Sequence, residues 1–125
     1  MMSTILIVED NPLNMELATD LLEAAGYDVR QAFSAEDGLH LAREERPDLI
    51  LMDLRLPGMD GYAALQALRA DPMTVAIPTV ALTAEAMMGD DKAAVTAGFD
   101  SYLSKPIDTR VFLREIARLL SETVV

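Results

Sequence analysis

Apolar positions along this chain fall into two rhythms. Thr4-Ile5-Leu6-Ile7-Val8, Leu49-Ile50-Leu51-Met52 and Pro78-Thr79-Val80-Ala81-Leu82 are short apolar runs without polar alternation, the pattern of strands covered on both faces in a parallel sheet. Tyr27-Asp28-Val29-Arg30-Gln31-Ala32 alternates instead, as a strand near a sheet edge would, and Ser101-Tyr102-Leu103 makes a short last strand.

Between these runs the spacing turns helical. Asn11-Pro12 reads as an N-cap with proline at the first helical position, opening a helix expected to bury Leu13, Leu17, Leu21 and Leu22 before Gly26 closes it. Ser34, with Asp37 three residues on, resembles a capping box for a helix facing inward through Ala35, Leu39 and Ala42 and stopping before Pro47. A third helix runs from about Gly61 to Ala70 with Tyr62, Leu65 and Leu68, and Asp71-Pro72 ends it. A fourth is expected to include the stretch from about Asp90 to Gly98, after Met87-Met88, which reads as packing or a loop. Asp108 caps a last helix with Phe112, Leu113, Ile116, Leu119 and Leu120 on its inner face. Strand and helix thus alternate five times, which predicts an α/β fold, a parallel sheet with helices on both faces.

Composition narrows the function. At 125 residues the chain is expected to be one domain, residues 1–125 with no output domain, burying more than about 60% of its unfolded surface. Cysteine is absent, which excludes disulfides and thiol chemistry and suits a reducing compartment. No apolar run is long enough to span a bilayer, and Met1-Met2-Ser3-Thr4 lacks the basic start of a signal peptide, so a cytoplasmic location is expected. Twenty-one acids against ten bases leave a net charge of −11, which repels nucleic acid and anionic membranes and favours divalent cations.

Candidate chemistry lies where the strands end. Strand one delivers Glu9 and Asp10, strand three Asp53, strand four Thr83 and strand five Lys105, all to the carboxyl edge where open α/β sheets bind ligands. If strands one and three are neighbours, three carboxylates converge and need a counter-charge. Mg²⁺ fits as a hard cation that prefers oxygen, Lys105 brings a second positive charge, and Thr83 brings a hydroxyl. Such a set stabilises charge on a transferring phosphoryl group and marks Asp53 as the nucleophile. His40, the only histidine, sits on a polar helix surface and offers no catalytic triad.

Four motifs occur in order: Leu6-Ile7-Val8-Glu9-Asp10-Asn11, Leu51-Met52-Asp53 with Leu56-Pro57-Gly58-Met59-Asp60-Gly61, Leu82-Thr83-Ala84, and Lys105-Pro106. Together they resemble the CheY-like receiver domain of response regulators from Thr4 to Leu120. The look is that of free-standing DivK-type regulators and hybrid-kinase receivers. The resemblance implies a flavodoxin-like doubly wound sheet of order 2-1-3-4-5 with five helices. It implies that Asp53 accepts phosphate from a sensor histidine kinase or a histidine phosphotransfer protein, and that a downstream protein target reads the result. It implies Mg²⁺, with Mn²⁺ as an alternative, on Asp10 and Asp53, with Glu9 assisting through water and the Arg55 backbone carbonyl completing the set. Thr83 and Lys105 would contact the phosphoryl group, Tyr102 would change rotamer with Thr83, and Lys105-Pro106 would be a cis peptide. The only catalysis implied is of the chain's own phosphorylation and dephosphorylation.

Two other classes compete for the strand-end acid. A haloacid-dehalogenase-type phosphatase would want a second acid two residues after its nucleophile, where this chain has Arg55. A flavodoxin-like flavin carrier would want a Ser/Thr/Gly-rich loop after strand one, and Glu9-Asp10-Asn11-Pro12 would repel the flavin phosphate.

Overall fold

The computed structural model describes residues 2–83, 97–105 and 107–123. Five strands form one parallel sheet: β1 (Thr4–Val8), β2 (Asp28–Ala32), β3 (Leu49–Asp53), β4 (Thr79–Thr83) and β5 (Ser101–Ser104), in the order β2-β1-β3-β4-β5. Among the described residues, four helices accompany it: α1 (Pro12–Ala24), α2 (Ala35–Glu45), α3 (Gly61–Ala70) and α4 (Thr109–Thr123). Met87-Met88, and nearly all of the stretch where the further helix is expected, lie outside the described residues.

Period-two alternation within the unbroken apolar strands divides the core in two, because successive side chains point to opposite faces. Ile5, Ile7, Leu49, Leu51, Val80 and Leu82 pack on one face with Met15, Ala18 and Leu22 of α1 and Phe112, Ile116 and Leu119 of α4. Leu6, Val8, Ile50, Met52 and Ala81 pack on the other with Ala35 and Ala42 of α2 and Leu65 and Leu68 of α3. Each fully buried aliphatic side chain of this kind contributes about 1.5–3 kcal/mol relative to an exposed one.

The caps follow the expected chemistry. Asn11 Oδ1 accepts from the amides of Leu13 and Asn14, Ser34 Oγ from that of Asp37, and Asp108 Oδ1 from those of Arg110 and Val111. Asp60 also caps α3, accepting from Ala63 N at 2.9 Å. Arg46 ends α2 at a positive φ of 44°, an uncommon left-handed cap for a non-glycine residue.

One expected face is corrected. Leu22 is buried as expected and Leu21 packs partly buried against the same cluster, but Leu13 and Leu17 are 76% and 46% exposed, and Met15 and Ala18 take their place in the core. The Leu13-Leu17-Leu21 spacing marks a real stripe, but the small Ala18 lets the helix close on the sheet along the neighbouring one. Apolar spacing alone does not weigh that closer approach.

Registers set the height of each strand end. Val8 pairs with Met52, so Glu9 and Asp53 stand level one residue further on. Asp53 pairs with Leu82, and Thr83 pairs with Ser104, so Thr83 and then Lys105 rise beyond it in steps.

Candidate functional site

Asp53 closes β3, a strand whose five residues are all buried, and its own side chain is nearly so at 5% residue exposure. A carboxylate in that position costs desolvation unless it is paired. Its Oδ1 accepts from the amide of Arg55 at 2.9 Å, and its Oδ2 lies 3.1 Å from Lys105 Nζ. Glu9, at the end of β1 and 1% exposed, is in direct contact with the same ammonium. Asp10 is exposed beside it. One carboxylate oxygen from each of Glu9, Asp10 and Asp53 lies within 4.8 Å of the others.

Three converging acids and one lysine shift each other's protonation. Burial, and next the proximity of Asp53, push the Glu9 carboxyl up from 4.5 to about 7, with Lys105 pulling the other way. Burial by itself would lower Lys105, but Glu9 and Asp53 outweigh it and hold the ammonium above the ordinary lysine value. The lysine thus serves as an internal counter-ion for two buried carboxylates, a pairing invisible in the sequence because 96 residues separate Glu9 from Lys105.

The donor set suits a magnesium ion: all oxygen, anionic, drawn from two adjacent strands, and close enough to share one hard cation. Two of the three carboxylates are anchored by burial while Asp10 faces solvent, so the site combines fixed ligands with an open side for waters or a phosphoryl oxygen.

The other expected residues lie around this cluster. Thr83 ends β4 and is buried, and Lys105 N donates to its carbonyl at 2.7 Å. Tyr102 is half-buried against the cluster that contains Ala81, its register partner. Thr83 is two residues beyond Ala81, so Thr83 and Tyr102 share one face of the sheet. Arg55 is exposed, and its amide orients Asp53. Pro106 lies outside the described residues, and with it the expected cis peptide. His40 is on the exposed surface of α2, 3.1 Å from Glu44 and remote in role from the acids.

The family model of the response regulator receiver domain matches residues 5–117. The polar-differentiation response regulator DivK of Brucella anthropi is 43% identical over 98% of this chain and 99% of its own. A crystal structure from Chloroflexus aurantiacus covers 97% of this chain and 99% of its own at 33% identity, with a TM-score of 0.92. The receiver domain of a sensor histidine kinase from Pseudomonas aeruginosa, 36% identical, superposes with a TM-score of 0.89 over 97% of this chain and 99% of its own. That receiver holds a magnesium ion coordinated in its active-site cleft.

Proposed function

Since this chain belongs to the response regulator receiver domain family, whose members are phosphorylation-activated switches of two-component signalling and not classical enzymes, we propose that Asp53 is its phosphoacceptor. The observation that carries this reading is the setting of the Asp53 carboxylate. It is buried at the end of the central strand, oriented by the Arg55 amide, and faces an ammonium and two further carboxylates.

The reaction follows from those positions. An Asp53 oxygen forms a bond to phosphorus as the donor's nitrogen–phosphorus bond breaks, and the electron pair leaves with the imidazole of a kinase or phosphotransfer histidine. Asp10, Asp53 and the Arg55 carbonyl would hold a magnesium ion, or manganese in its place, with Glu9 assisting through water, and the bound metal would supply positive charge against the phosphoryl oxygens. Lys105 already stands beside Asp53 Oδ2, so its ammonium meets an incoming phosphoryl oxygen with little movement. The Thr83 hydroxyl donates a charge-assisted hydrogen bond to another of those oxygens. Hydrolysis of the resulting acyl phosphate at the same site resets the switch.

Switching proceeds from Thr83 to Tyr102, which share a sheet face. Drawing the hydroxyl inward opens room for the tyrosine ring, and a population difference of a few kcal/mol is enough to reverse the balance of two forms. The readout is a protein target on the face that includes β5 and α4. Nucleic acid is an unfavourable partner for a chain of net charge −11, no described helix is long and apolar enough to cross a membrane, and the cytoplasm is the fitting location.

Incubation with acetyl phosphate tests the chemistry. With Mg²⁺ the protein gains phosphate that hydroxylamine removes, as an acyl phosphate requires, and a chelator abolishes the gain. Phosphate that resists hydroxylamine, the behaviour of a serine or threonine ester, would overturn the assignment.

A further inference from the structure

Gly61 is the first residue of α3, and its Cα faces the backbone of the phosphoacceptor. A Cβ built there would lie 2.6 Å from the carbonyl oxygen of Asp53 and 2.8 Å from Leu54 Cα. Both atoms are backbone, so no side-chain rotation relieves the contact. Gly61 does not have positive φ, which leaves alanine conformationally acceptable there and intrinsically the better helix former. The reason for glycine at this position is therefore the approach of the helix to residues 53 and 54.

That approach bears on the site because the turn after β3 is held from two sides. Leu54 N donates to Leu82 O of β4 at 2.9 Å, and Leu54 O accepts from Gly61 N at 3.1 Å. Within the turn, the Arg55 amide holds Asp53 Oδ1 at 2.9 Å. Pushing the Asp53 carbonyl away from α3 rotates the peptide units that carry that amide, and with them the carboxylate and the Arg55 carbonyl.

We infer that Gly61 is a positioning residue for phosphoryl transfer. By admitting α3 into contact with the Asp53–Leu54 backbone, it sets the orientation of the acceptor carboxylate and of the metal ligands beside it. The inference rests on Asp53 being the acceptor, and it concerns a residue that touches neither metal nor phosphoryl group.

Gly61→Ala tests it, with Leu68→Ala as the comparison. Leu68 is buried on the same helix and its truncation loosens the same packing without meeting Asp53. Both variants should melt earlier than the parent. Only Gly61→Ala should also weaken Mg²⁺ binding, measured by titration without phosphate, and slow acetyl phosphate uptake by about tenfold, a cost expected of sub-ångström misplacement when a full ångström costs about a hundredfold. Its amide shifts should move at Asp53, Leu54 and Arg55. If Gly61→Ala is partly unfolded, the same titration in trimethylamine N-oxide, which favours the compact state, separates folding from positioning. Parent-like Mg²⁺ affinity and uptake in folded Gly61→Ala, or equal losses in Leu68→Ala, would overturn the inference. Failure of the parent to take phosphate on Asp53 would instead overturn the underlying reading.

Discussion

Lys105 Nζ stands 3.1 Å from Asp53 Oδ2, so a lysine 52 residues away is docked on the carboxylate that ends the central strand. Replacing it by methionine leaves buried acids without their counter-ion, which costs on the order of 3 kcal/mol when one partner of a buried pair is removed. Lys105→Met should therefore melt well below the parent in a chelator and recover much of the difference in saturating Mg²⁺. It should still accept phosphate but show no phosphorylation-dependent shift at Tyr102. A melting deficit that Mg²⁺ leaves unchanged would remove Lys105 as the internal counter-ion.

Glu9 supplies a pH signature. Its carboxyl is raised from 4.5 to about 7 in the folded protein, so within that window the folded state binds more protons than the unfolded one. Stability from this group is therefore present at low pH and declines as pH rises, by at most about 1.4 kcal/mol per pH unit. In metal-free protein, the melting temperature of the parent relative to Glu9→Gln should fall as pH rises from 4.5 to about 7. Saturating Mg²⁺ should flatten that fall, since the metal binds the ionised form. A difference independent of pH would show that Glu9 is not protonated in the folded state.

Asp10 separates metal binding from the buried pairing, because it is the exposed member of the acidic cluster. Asp10→Asn should weaken Mg²⁺ at least about tenfold, since even loss of an outer partner of a metal ligand costs that much. Calorimetric or fluorescence titration reads the change. Parent-like affinity would exclude Asp10 from the site.

Strand ends were readable in advance because two constraints coincide: β3 is apolar without a break and then stops at Asp53, and β4 does the same at Thr83. Helix limits followed from Asn11, Ser34 and Asp108, each a side chain that bonds free helix amides. The sheet order came from family resemblance, since right-handed connections permit several orders for five strands. What lay beyond the sequence depends on three-dimensional approach. Ala18, and not the leucine stripe beside it, sets the buried face of α1; Glu9 reaches Lys105 across the sheet; Gly61 admits α3 to the Asp53 carbonyl.

Arg69 lies in the last turn of α3, a position from which the sequence shows none of its partners. Its guanidinium donates to the carbonyls of Val75, Ile77 and Gly98 and to Asp100 Oδ2, which also accepts from Thr79 N at 2.8 Å. The arginine thus ties α3 to the starts of β4 and β5. Arg69→Ala should cost about 1.5–3 kcal/mol, the range for hydrogen bonds to a charged group, and speed amide exchange at Thr79. Unchanged stability and exchange would show that the clasp contributes nothing.

Asp53 alone is expected to accept the phosphoryl group, in a metal-dependent step. Intact-mass spectrometry after incubation with acetyl phosphate reads it most directly. The parent should gain one phosphoryl group with Mg²⁺ and none with a chelator, and Asp53→Asn should gain none in either. An undiminished gain in Asp53→Asn would show that another residue is the acceptor.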